Sequence, residues 1–142
     1  MNPTLPSLFL SHGSPMTALA PLADEGVLVL GSGSITHNLQ RVFAGGRLAP
    51  VDQPATPEST AFRDWWAARA AALDWQALFD YPTQAPFAAL MHPTDEHLLP
   101  WFVAAGAGGR NTPGRRIHAS LTYGELGMDA YAFGASAATL AA

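Results

Sequence analysis

The sequence predicts an α/β fold: a single domain in which a mostly parallel sheet is flanked by helices. Three observations predict it. Two short apolar runs, residues 5–11 and 27–30, each lead into a Gly/Ser loop carrying a histidine. Continuous apolar runs of this kind suit strands covered on both faces. Elsewhere the apolar residues recur at helical spacing, as in Phe62, Trp65, Trp66 and Leu73, or Leu98, Trp101, Phe102 and Ala105. With 142 residues, 49% apolar and only 13% charged, the chain can fill one core. So low a charge content also suggests pairing with another subunit.

In chain order, the first strand ends in Ser11-His12-Gly13-Ser14-Pro15, a turn-rich loop. Residues 20–26 resemble the tail of a helix, and Val27-Leu28-Val29-Leu30 is the second strand. It leads into Gly31-Ser32-Gly33-Ser34-Ile35-Thr36-His37-Asn38-Leu39. Residues 45–57 form a Pro/Gly-rich loop. Thr56-Pro57-Glu58 then starts a helix, with a capping hydroxyl before a first-turn proline. Asp74 caps a second, short helix through Phe79, and residues 81–86 break it. Residues 90–106 are the centrepiece. Pro93 biases His92 towards extended backbone. Thr94 caps a helix with Asp95 and Glu96 in its first turn, where carboxylates suit the positive end of the dipole. His97 falls on that turn, Pro100 kinks the helix, and Gly106 stops it. Residues 116–123 and 128–133 are two closing strands around Gly124-Glu125-Leu126-Gly127, and the Ala-rich tail is frayed.

Several function classes are excluded. A net charge of −4 with no basic run argues against a nucleic-acid partner. The absence of cysteine removes disulfides, thiolate zinc sites and cysteine nucleophiles. No basic-then-apolar leader and no run long enough to span a bilayer is present, so the expectation is a cytoplasmic protein with no membrane partner.

The chemistry lies in histidines. His12, His37 and His97 sit at strand ends and a helix start, where sites form in open α/β sheets. Neutral imidazole suits iron, zinc and copper, so these three are the candidate metal ligands. Each taken alone is more often a hydrogen-bonding loop residue. His92 and His97 are five apart with Pro93 between them, which is not the four-residue spacing of a metalloprotease helix. His92 therefore reads as a residue behind the ligands or in the pocket wall, and it is the candidate catalytic residue. Asp95 and Glu96 can orient His97, although helix capping is the simpler role. His118 lies in an expected strand and reads as structural or exposed. Gly31-Ser32-Gly33 hints at a dinucleotide loop, but Thr36 stands where the third glycine belongs. Trp65, Trp66 and Trp75 are expected in the core or at a subunit interface.

Taken together, three segments resemble the DODA-type extradiol ring-opening dioxygenases, relatives of the LigB-type catalytic subunits. They are Leu8-Phe9-Leu10-Ser11-His12-Gly13-Ser14-Pro15-Met16, residues 31–39, and His92-Pro93-Thr94-Asp95-Glu96-His97-Leu98-Leu99-Pro100. The closing Met128-Asp129-Ala130-Tyr131-Ala132-Phe133-Gly134 also resembles the family's end. The resemblance covers almost the whole chain, but family members are nearly twice as long. The chain is expected to be one internally shortened domain over 1–142, with a junction near 17–21. The segment missing there would supply strands, a further metal-site histidine and an acid–base histidine. By resemblance His12, His37 and His97 match metal-site positions. The implied cofactor is Fe(2+), with Zn(2+) possible in the same site but redox-dead. The implied partners are a small aromatic diol and O2, with a homodimer possible. The implied reaction cleaves a catechol ring beside, not between, its hydroxyls, with Trp101 or Phe102 in the pocket wall. The alternative is a degenerate homologue that binds metal or a partner without catalysis. An internally deleted gene product and a metal-dependent hydrolase on the same ligands are further readings.

Overall fold

The computed structural model describes residues 25–135 and 137. His12, the strand expected at 5–11 and the junction near 17–21 lie outside the described residues.

Helix starts follow local chemistry. The longest helix after the short α1 (Leu39–Val42) is α2 (Pro57–Ala71), where the Thr56 hydroxyl accepts from the Ser59 amide at 3.3 Å and Pro57 opens the first turn. That is the expected cap with proline at N1. Asp74 accepts from the Ala77 amide at 3.2 Å and starts α3 (Trp75–Phe79), also as expected. Two single-turn helices, α4 (Tyr81–Gln84) and α5 (Ala88–Met91), lead to α6 (Leu99–Gly108).

The start of α6 corrects the sequence reading. The helix begins at Leu99, with no side-chain cap, rather than after Thr94. His97 therefore lies in the turn ahead of the helix, not on its first turn. Pro100 occupies the first helical turn, where its missing N–H is no loss, so it opens the helix instead of kinking it. The helix also runs past Gly106 and ends at Gly109, whose φ of 89° no side chain favours.

The core is aromatic. Phe62, Trp66 and Ala70, one turn apart on α2, are fully buried and meet Leu78, Tyr81, Met91, Leu98, Trp101 and Phe102. Trp66 meets Trp101 edge to face at 5.1 Å and Phe102 at 5.6 Å. Edge-to-face contact matches each ring's positive edge to the next ring's negative face. Trp101 and Phe102 are thus core residues, not the pocket wall expected from the resemblance.

The strands also differ from expectation. β1 (Arg115–His118) pairs with β4 (Ala130–Ala132), and β2 (Leu121–Thr122) with β3 (Leu126–Gly127). Both pairs are antiparallel and short, so a mostly parallel sheet is not what the described residues form. The apolar run at 27–30 is no strand either. Leu28 is 80% and Leu30 82% exposed, and neither has a hydrogen-bonded strand neighbour among the described residues. A doubly covered strand needs neighbours on both edges and layers on both faces, and the described residues supply neither. Asp129, between β3 and β4, is the centre of a buried ion cluster. Arg63 grips Asp129 with two bonds, 2.6 and 2.8 Å, and the Asp129 side chain is wholly buried.

Candidate functional site

The site is built on residues 31–37, an irregular segment with a bend at Ile35 and Thr36, held from two sides. On one side Ile35 N–H donates to Gly127 at 2.9 Å and Gly127 N–H returns to Thr36 at 3.3 Å. The buried Thr36 hydroxyl donates to the Glu125 carbonyl at 2.6 Å and accepts from the Gly127 amide at 2.8 Å. On the other side Ser34 N–H donates to the His97 carbonyl at 2.8 Å, and His37 N–H to the Met91 carbonyl at 2.9 Å. Asn38 Nδ2 adds a bond to the Leu90 carbonyl at 2.7 Å while its Oδ1 caps α1.

Gly31 and Gly33 explain how the two segments come so close. A Cβ at Gly33 would collide with the His97 carbonyl, and one at Gly31 with the Pro100 carbonyl. Both glycines therefore present a bare backbone to the 97–100 turn, where any side chain would stand in the way. The loop is glycine-rich because backbone packs on backbone here, not because it cradles a phosphate.

This packing brings two of the expected ligands together. The His37 and His97 rings stack with centroids 3.6 Å apart and planes 13° from parallel. Burial, then the nearby His97 ring, holds the His37 imidazole below its ordinary value of 6.5, against an opposing pull from Glu96. The neutral ring keeps a lone pair for a metal. His97 is 42% exposed, yet its Nδ1 is shielded from solvent and has no hydrogen-bond partner. Glu96 Oε1 stands 3.6 Å from that nitrogen.

His92 has a different place. It is buried, and its Nε2 lies 2.7 Å from the Ile35 carbonyl. As the N–H tautomer it donates there and ties the 31–37 segment to the end of α5. Burial is the main reason its pKa is lowered, and the His37 and His97 rings push the same way. Phe62 and Tyr81 flank the ring at 5.4 and 6.3 Å. A cavity of about 310 Å³ is lined by Tyr81, Ala88, His92, Pro93 and Asp95, without His37 or His97. His118 is exposed, one of the two outcomes expected for it, and is paired with the Ser120 hydroxyl at 2.9 Å.

Two imidazoles in contact have the right chemistry for an iron or zinc ion. Imidazole lone pairs lie in the ring plane, and two stacked planes do not meet, so the rings must splay for both to reach one ion at about 2.0–2.1 Å. Among the described residues no three His, Asp or Glu side chains are arranged to hold a metal. The donor type fits, then, while the donor count among the described residues stops at two. The sequence reading missed Thr36, whose partners lie 89 and 91 residues away. It also missed the Gly31/Gly33 contact, for which the i, i+2 glycine spacing was a usable signal.

Residues 8–134 match the family model for the catalytic LigB subunit of aromatic ring-opening dioxygenase. The chain belongs to this family. It is similar to the 4,5-DOPA dioxygenase extradiol of Beta vulgaris, 37% identical over 82% of this chain and 41% of that protein. The enzyme of the same name from Portulaca grandiflora is 34% identical over 86% of this chain and 43% of its own length. The crystal structure of an uncharacterized protein from Escherichia coli K12 superposes with a TM-score of 0.63 at 28% identity, over 81% of this chain and 46% of that one. The chain thus spans less than half the length of these relatives.

Proposed function

We propose that this chain is a metal-dependent extradiol dioxygenase of the LigB family, acting on a catechol-type ring and O2. The observation that carries the reading is the stacked His37–His97 pair in a chain of this family. His37 and His97 would hold the ion, with His12 as the third ligand. Fe(2+) is the proposed metal; Zn(2+) fits the same imidazoles but has no redox chemistry. A bound ferrous ion supplies the one-electron chemistry that lets a catechol react with dioxygen. The reaction breaks the ring carbon–carbon bond beside the two hydroxyls and places both atoms of O2 in the product.

This chain's own residues would do the rest. Burial keeps His37 neutral and ready to bind. The Gly33–His97 backbone contact fixes the spacing of the two rings. His92 holds the Ile35 carbonyl two residues before His37, and so positions that ligand instead of exchanging protons with substrate. The chain is proposed to be one shortened domain, with its junction near 17–21.

The short length favours a second reading, a homologue that binds metal without turnover. The two separate cleanly. Protein loaded with ferrous ion without air, then given catechol and air, is expected to take up oxygen and form a yellow ring-cleaved product. Bound iron with no oxygen uptake would establish the second reading instead.

A further inference from the structure

We infer that Glu96 is the positioning carboxylate of His97, fixing which of its ring nitrogens carries the proton. The inference rests on the metal-site reading of His97. Three observations carry it. His97 Nδ1 is shielded from solvent and has no hydrogen-bond partner, although 42% of the side chain is exposed. The exposed part of the side chain therefore lies elsewhere than at this nitrogen. Glu96 Oε1 stands 3.6 Å from Nδ1, just beyond hydrogen-bond length. That same oxygen accepts from the Thr94 hydroxyl at 2.8 Å, which pins an otherwise mobile surface carboxylate on the Nδ1 side.

The simpler role for Glu96, helix capping, is gone. The helix begins at Leu99, and no side chain caps it. His37 stacks on one face of the His97 ring, so the ring has little freedom to turn away from the carboxylate. A carboxylate facing one imidazole nitrogen favours the proton there and leaves the lone pair on the other nitrogen. Metal-binding histidines are oriented this way by partners beyond the metal. Glu96 thus selects the Nδ1–H tautomer and leaves Nε2 as the donor atom. Closing 3.6 Å to a hydrogen bond needs only a small rotation of either side chain.

The test uses the full metal-free chain labelled with 15N-histidine, read by long-range proton–nitrogen correlation at pH 8. Glu96→Ala, Glu96→Gln and Thr94→Val are compared, and His97→Gln assigns the signals. Native protein should show His97 mainly as Nδ1–H. In E96A the ratio should reverse to the Nε2–H form that free neutral imidazole prefers. E96Q, whose amide oxygen can still accept, should restore the native ratio, and T94V should fall between. Unchanged His92 and His118 signals check that each variant is folded. Nε2–H in the native chain, or a ratio that E96A does not move, overturns the inference. Cobalt(II) titration of the same samples separates the two layers. No cobalt binding with the tautomer shift intact would sink the metal site alone.

Discussion

Thr36, next to the proposed ligand His37, is wholly buried, and its hydroxyl is spent on two backbone groups from the far end of the chain. Thr36→Val keeps the shape and removes both bonds, taking the hydroxyl donor from the Glu125 carbonyl and leaving the Gly127 amide only its longer bond to the Thr36 carbonyl. The expected loss is about 1–3 kcal/mol in urea denaturation. Gly33→Ala should cost on the order of 1–3 kcal/mol, because the new methyl meets the rigid His97 carbonyl. It should also separate the His37 and His97 rings. A phosphate-cradle role for this loop would instead leave stability nearly unchanged. His92 sets a pH dependence. Its folded pKa lies below the ordinary 6.5, chiefly through burial. The unfolded chain therefore takes up a proton below 6.5 that the folded chain refuses. Stability from this group is whole above 6.5 and declines as pH falls towards the folded value. Denaturation at pH 7.5 and 5.5 should show that decline, and His92→Gln should flatten it. At this scale the sequence was partly legible. The histidines and the glycine spacing are visible in it. Thr36 was not, since a threonine's partners across 89 residues leave no local trace.

At the scale of elements, the helix starts at Thr56-Pro57 and Asp74 were readable because a cap is a contact within four residues. Thr56→Ala should therefore lose about 1 kcal/mol, seen as a lower melting temperature. The centrepiece was misread because Thr94 and Asp95 also look like a cap. In the structure Thr94 spends its hydroxyl on Glu96, and Pro100 supplies the actual start of α6. Residues 27–30 were misread for a different reason. An apolar run states what a segment would bury, but its neighbours decide whether it does. With Leu28 and Leu30 exposed, the double variant Leu28→Lys, Leu30→Lys should change stability by no more than about 0.5 kcal/mol. A loss of several kcal/mol would mean the run is covered in solution, as an exposed apolar edge invites.

At the largest scale, the described residues grip the 31–37 segment from two sides. The aromatic core anchors α2 and α6, the hairpin at 125–127 clamps one side of the 34–37 segment, and α5 with the 97–100 turn clamps the other. The α/β class and the family were legible, because ordered motifs survive in a short chain. The parallel sheet was not, because the chain spans less than half of its curated relatives and the described strands are all antiparallel. No helix among the described residues is long and apolar enough to cross a membrane. Under the proposed function, the Gly33–His97 backbone contact makes His37 and His97 one metal site. Calorimetric titration of the full chain with cobalt(II) tests it most directly, beside His37→Ala and His97→Ala. One ion per chain is expected in the native protein, with at least a tenfold loss of affinity in each variant. Native protein that binds no cobalt, or a variant that binds as tightly as native, would contradict it.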